Sequence, residues 1–272
     1  MSYDAIERSD EQGQPVELYT FSRGTLVWRF TSADLPRTVD SQTFATVRGG
    51  IRRPSIAQGA ELNRQTVKLA VPRDFPIVTL FRGGVPSDPI VLRIQQYHES
   101  DGEVIGVWGG RVVNAARMGS MAELACEPVY TSVRSVGLRR KYQRQCPHVL
   151  YGPSCRLNAA SFKLTTTVAG VAGAVVTAAA FATQPDGYWE GGWLEWEIAP
   201  GIFERRFING HTGDDLTLLT QPLGLPVGTS VNVYPGCDHT LATCGSKFSN
   251  RDNYGGMPDI PQKNPFGSDP VY

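Results

Sequence analysis

Short runs of alternating apolar and polar residues, each closed by a Gly-, Pro- or Asp-containing break, constrain this chain more than any other feature. Alternation at a period of two turns one side of a strand inward and the other to solvent, whereas a helix needs apolar residues every three to four positions. VELYTF (16–21) and TLVWRF (25–30) flank a Ser-Arg-Gly break and predict a hairpin. QTVKLAVP (65–72), PIVTLF (76–81), IVLRIQQYH (90–98), VIGVWGGRVVNAARM (104–118) and MAELACEP (121–128) continue the series. A second series follows at 162–168, 172–181, 192–201, 202–208, 215–222 and 230–236. The expected fold class is all-β, mainly β with few short helices, its strands spaced as in sandwiches and barrels. The 29 glycines and 19 prolines suit the many turns such a fold requires.

A change of composition separates the two series. Five cations and no acid lie between Arg134 and Arg144. The expected organisation is an N-terminal β domain at 1–131, a basic linker with the first cysteine pair at 132–155, a small β domain at 156–236, and a second cysteine pair with an extended C-terminal tail at 237–272. From Lys247 onward that tail holds Gly-Gly and four prolines, so side-chain anchors rather than regular pairing are expected to hold it. No internal repeat is present at a solenoid or propeller period.

Lys plus Arg equals Asp plus Glu, at 26 each, so the chain as a whole has no bias toward nucleic acid or anionic membranes. The opening MSYDAIERSDEQGQP lacks the cationic start and apolar core of a signal peptide. The longest apolar stretch, at 168–182, is rich in Ala and Gly and interrupted by Thr177. A spanning helix needs about 20 apolar residues, so this stretch reads as buried strand material and no membrane segment is expected.

Four of the five cysteines form two pairs, Cys146 with Cys155 and Cys237 with Cys244. Residues 156–236 between them contain no cysteine and hold the whole second series. Should all four thiols meet, they would fasten the start of that block to its end. The spacings C-x8-C and C-x6-C exceed the tight turns of zinc knuckles, whereas a cubane iron–sulfur cluster offers four corners to widely spaced thiolates. The spacing therefore favours a [4Fe–4S] cluster, while zinc and a pair of disulfides remain open alternatives. His148 and His239 each follow a cysteine by two positions, and that pattern permits a mixed Cys/His zinc site. Arg139, Arg140, Lys141 and Arg144 precede Cys146 and either offset the charge of a cluster or form a solvated basic face. Cys126 lies outside both pairs on an apolar strand and reads as a core residue.

PGCDHTLATCGSKFSNRDNYGGMPDIPQKNPF resembles the C-terminal signature of the phage tail-hub family, which includes the hub of gene transfer agents and the minor tail protein L of lambda-like phages. The matching positions are Pro235 to Asp238, Cys244, Lys247 to Asn250 and Asn253 to Gly256. RQCPHVLYGPSC is similar to that family's first cysteine pair, and WGGRV at 108–112 to its tail-tube-like β domain. The resemblance implies that Cys146, Cys155, Cys237 and Cys244 ligate a [4Fe–4S] cluster. It further implies a place in the virion at the tail tip, after assembly in the host bacterial cytoplasm. The N-terminal domain would form part of a homotrimeric ring, and the chain would bridge the distal tail protein and the central receptor-binding tip protein. Transient contact with DNA in the tail channel is a further expectation.

An enzyme needs a constellation elsewhere. His211, Asp214 and Asp215 in NGHTGDD suggest a metal or hydrolytic site, against the commoner reading of a solvated turn. Ser41, Ser55 and Ser154 lack a nucleophile-elbow context, and no phosphate-cradling glycine loop follows a strand. Trp189, Trp193 and Trp196 suit a core or an interface better than a ligand platform. The competing function class is thus a soluble zinc or redox metalloprotein with hydrolase or electron-carrier activity; the favoured class is a non-enzymatic tail-tip component.

Overall fold

The computed structural model describes residues 15–56, 66–98, 102–134, 137 and 142–260. The basic positions Arg139, Arg140 and Lys141 and the tail beyond Ile260 lie outside the described residues. The chain divides into two compact units, Met1–Ser135 with Glu197–Glu204, and Val136–Trp196 with Arg205–Tyr272.

The first unit is built on β1 (Val16–Arg23), β2 (Leu26–Thr31), β3 (Arg37–Val39), β4 (Gln42–Thr46), β5 (Val67–Pro72), α1 (Pro76–Leu80), β6 (Ile90–Tyr97), β7 (Val104–Met118) and β8 (Met121–Pro128). The sheet order is β3-β4-β2-β1-β6-β7-β8-β5. All pairings are antiparallel except β2 with β4. Alternation decides the inner face: Tyr19, Phe21, Leu69, Val71, Ile90, Leu92, Ile94 and Leu124 are buried together. Phe21, Phe30 and Phe75 meet at ring separations of 4.6–6.1 Å. Each such fully buried side chain contributes about 1.5–3 kcal/mol.

Two details of this unit depend on single residues. The pairing registers skip Val107 and Val113, and bulges of this kind let a 15-residue strand bend over the core. Within WGG, a Cβ on Gly110 would lie 2.1 Å from the Glu127 carbonyl and 2.4 Å from the Trp108 ring, so the indole covers bare backbone there. Arg23 is 1% exposed and pairs with Glu204 at 2.8 Å, and Ser87 donates its hydroxyl to the same carboxylate.

PIVTLF, expected as a strand, is the helix α1. Pro76 stands at its first turn, where a missing N–H leaves no bond unmade, and the adjacent Ile77 and Val78 are both buried. Consecutive burial is incompatible with a strand exposing one face.

The second sheet contains β9 (Leu164–Thr167), β10 (Gly170–Ala172), β11 (Val175–Thr177), β12 (Trp193–Ala199), β13 (Ile202–Thr212), β14 (Asp215–Leu218) and β15 (Ser230–Tyr234), in the order β10-β11-β14-β13-β12-β15-β9. The Ala- and Gly-rich stretch is not one strand. It turns at Gly173, whose φ of 62° suits glycine, and ends in a 3-10 turn at Ala179–Thr183. Val168, Val176 and Phe181 from this stretch join Trp189, Leu194, Trp196, Ile208 and Val233 in the core. Trp193 lies outside that cluster and stacks on Tyr234 at 4.7 Å.

Candidate metal centre

Four thiols from two distant segments line one small cavity of the second unit. Cys146, Cys155, Cys237 and Cys244 share it with His148, Leu150, Leu157, His239, Thr240, Phe248, Asn250 and Asn253. Cys155 and Cys244 are buried, and Cys146 and Cys237 partly so. None of the five cysteines forms a disulfide, so the disulfide alternative finds no linked pair here.

The second cysteine loop is held by Asp238. Its carboxylate accepts from the backbone N–H and hydroxyl of Thr240, both at 2.9 Å, and from the Thr243 hydroxyl at 2.9 Å. Burial opposes ionisation of Asp238, but these donors outweigh it and hold its pKa below the ordinary carboxylate value. Thr240 in turn caps α2 (Leu241–Ser246) by accepting from the Thr243 N–H at 3.2 Å. That short helix carries Cys244. The loop accommodates His239 at a φ of 63°, and the His239 N–H reaches the Cys237 sulfur at 3.3 Å.

The two cysteine segments are bonded to each other. The Cys146 N–H donates to the His239 carbonyl at 2.9 Å, and the Asn250 amide donates to the Cys155 carbonyl at 2.8 Å. Tyr151, between the first two cysteines, donates its hydroxyl to the Pro235 carbonyl at 3.0 Å. Its ring meets Trp193 and Phe248 edge-on at 5.5 and 6.3 Å, and of these rings Phe248 lines the cavity.

Glycines permit the close backbone crossings. A Cβ on Gly236 would lie 2.0 Å from the Gly191 carbonyl carbon, and one on Gly192 would lie 1.9 Å from the Tyr234 carbonyl oxygen. In Asn-Tyr-Gly-Gly, a Cβ on Gly255 would strike the His148 ring at 2.4 Å, and one on Gly256 the Arg144 carbonyl at 2.3 Å. The bare Gly255 backbone instead brings its N–H to the Cys146 sulfur at 3.4 Å. The Asn-Tyr-Gly-Gly motif is thus, in part, a packing requirement. Arg144, a member of the basic run, donates to the Pro258 carbonyl at 3.1 Å, while its own carbonyl accepts from the Tyr254 hydroxyl at 2.7 Å.

Four sulfur donors with no carboxylate among the lining residues are a soft donor set, suited to a thiolate-ligated metal or iron–sulfur group. Among the described residues, no three His, Cys, Asp or Glu side chains are grouped to hold a single ion. Burial is the main cause that raises the pKa of Cys237 and Cys244, and the other cysteines push both up further. Thiols raised in this way need a cationic body beside them to become thiolates. Two backbone N–H groups point at sulfur, and such bonds stabilise negative charge on a thiolate. His148 is turned to the Asn253 carbonyl through Nδ1 at 3.1 Å.

Lys247 lies beside this centre and was not singled out as a site residue by the sequence. It donates to the Gly236 carbonyl at 2.8 Å and to the Tyr188 carbonyl, with its ammonium over the Tyr188 ring at 4.5 Å and the Phe248 ring at 5.5 Å. Burial lowers its pKa, and Cys237, Asp238 and Glu190 work against that lowering.

Elsewhere the expected roles differ. Cys126 is 1% exposed in the core of the first unit, where burial pushes its thiol up to about 12. His211 is buried on β13 rather than solvated, with Nε2 at 3.0 Å from the Gly213 carbonyl. Asp215 accepts from the Thr177 hydroxyl across the β11–β14 pair. His211 and Asp215 are thus each bonded within the second sheet.

These features define an all-β chain with a four-cysteine cavity drawn from two separate segments. Residues 187–264 match the family described as Phage conserved hypothetical protein BR0599. A curated protein of Xylella fastidiosa (strain 9a5c), described as an uncharacterized protein, is 26% identical over 184 residues, covering 62% of this chain. The match spans 38% of that relative's length. The fold is shared with a chain of the virion of a native gene transfer agent particle, at a TM-score of 0.77 and 21% identity, covering 99% of this chain and 96% of that one. No helix among the described residues is long and apolar enough to cross a membrane.

Proposed function

We propose that this chain is a structural component of the distal tail tip of a long-tailed bacteriophage and holds a [4Fe–4S] cluster on Cys146, Cys155, Cys237 and Cys244. The observation that carries the cluster reading is the convergence of these four thiols on one cavity with N–H groups aimed at two of the sulfurs. The whole-chain likeness to a gene transfer agent virion chain and the phage family match at 187–264 support the virion reading.

When bound, the cluster would supply binding energy that becomes folding energy, since the unfolded chain cannot hold it. The residues' part is positional. Asp238 and Thr240 shape the second loop, the Gly255 N–H and the His239 N–H stabilise charge on sulfur, and Leu150, Leu157 and Phe248 exclude water. The segments 146–155 and 235–260 are fastened to each other by the Cys146–His239, Asn250–Cys155 and Tyr151–Pro235 hydrogen bonds, and the cluster would add to that fastening. In the tail tip the chain would join a homotrimeric ring linking the distal tail protein to the central receptor-binding tip protein.

Antibody-gold labelling of purified particles tests the location. Gold at the end of the tail distal to the head supports the reading, whereas gold confined to the capsid or absent from intact particles contradicts it. Limited proteolysis tests the fastening role: Cys237→Ser is expected to expose both 156–236 and the residues after 244 to cleavage, and unchanged cleavage of both would count against it.

A further inference from the structure

Four thiolates on an oxidised cubane carry a net charge of about −2, and burying such a charge is unfavourable unless cations or dipoles compensate it. The cations next to Cys146 in sequence are one candidate source. Of these, Arg144 is described, and its guanidinium is bonded to the Pro258 carbonyl.

Lys247 is placed differently. Its ammonium lies over the Tyr188 and Phe248 rings and donates to the carbonyl of Gly236, the residue that precedes Cys237. A second donated bond, to the Tyr188 carbonyl, ties the ammonium to the turn before Glu190, whose backbone packs against Gly236. One cation therefore joins the 188–191 turn to the Cys237 loop. Cys237 and Asp238 are among the charges acting on it. An ammonium has three donors and no acceptor, so carbonyls satisfy it without neutralising it, and its charge remains effective in this half-buried setting.

We propose that Lys247 is a positioning and charge-compensating residue of the four-cysteine centre, fixing the Gly236–Cys237 loop and placing one positive charge beside the cluster. This rests on the cluster reading above. Reduction adds negative charge to the cluster, so a nearby cation favours the reduced form and its removal makes reduction harder. A merely structural clamp would alter loop stability and leave the potential unchanged.

The test uses the full chain, purified without oxygen, as wild type, Lys247→Met and Lys247→Arg. Iron and sulfide per chain and the midpoint potential of the cluster are measured on each. Lys247→Met is expected to keep iron and sulfide and to shift its reduction equilibrium at least tenfold toward the oxidised form, about 59 mV for a one-electron couple. Lys247→Arg is expected to stay near wild type. A loaded Lys247→Met protein with the wild-type potential overturns the assignment while leaving the cluster reading intact. If Lys247→Met binds no iron, the Arg variant decides: a loaded cluster at wild-type potential upholds the role of the charge, and any other result overturns it. Wild-type protein without iron overturns the cluster reading and this assignment together.

Discussion

Gly236→Ala is expected to damage the second unit more than any conventional methyl addition should. The new Cβ would stand 2.0 Å from the Gly191 carbonyl carbon, 2.2 Å from the Glu190 oxygen and 2.3 Å from the Gly192 nitrogen. Carbon atoms pack best at about 3.5–4.0 Å, so one backbone must retreat by roughly 1.5 Å. All three obstacles are main chain, so no side-chain rotation relieves the contact. Overpacking typically costs about 1–3 kcal/mol, and the rigid setting puts this site near about 3 kcal/mol. With a urea m-value of about 2 kcal/mol/M, the midpoint should fall by about 1.5 M. Cys237 is the next residue, so thiol geometry should be lost with the packing. Gly170→Ala is the control, because its Cβ would meet Thr177 at an ordinary 3.7 Å. Urea melts monitored by tryptophan fluorescence read both variants. Equal midpoints for Gly236→Ala and Gly170→Ala would refute the close-crossing argument.

Glu204→Ala should cost about 3 kcal/mol, because it removes the near carboxylate of the buried Arg23 guanidinium and leaves it Asp88 at 4.0 Å; a urea melt of the variant checks this, and a Glu204→Leu, Arg23→Met double change should recover much of the loss. Asp238→Asn should destabilise the protein by about 1–2 kcal/mol at pH 7. The folded pKa of Asp238 is depressed, so its stabilisation is complete above the unfolded value near 3.9 and disappears as pH falls through the folded value. The gap between wild type and Asp238→Asn should therefore be flat from pH 7 to about 5 and close below about pH 4. Cys126→Ala should lower stability by about 1–2 kcal/mol through lost core packing and leave iron content unchanged, as melts and metal analysis of one preparation would read.

The long alternating strands were legible because burial on one face leaves a period of two in the sequence. β8 alternates from end to end, and β7 alternates over Trp108–Val112, between its two bulges. The strands β3 and β4 gave no such signal: they span three and five residues, and of these only Phe44 is buried. The α1 segment misled because β-branched residues fill it, while proline at its start and two adjacent buried positions decided for helix. At the site, the cysteines announced themselves by type and spacing. Gly236, Gly255 and Gly256 were visible as a motif, but the crossings that demand them depend on segments about 45 and 110 residues away. Lys247 was hidden for a similar reason, since its carbonyl partners at 188 and 236 converge only in the folded unit.

The most direct test of the central claim is anaerobic purification of the full chain with iron and acid-labile sulfide analysis and a visible spectrum. The account predicts about four irons and four sulfides per chain with a broad band in the near-ultraviolet to blue, all lost in Cys237→Ser and retained in Cys126→Ala. Zinc in place of iron, or protein without metal and with its four thiols unligated, would contradict it.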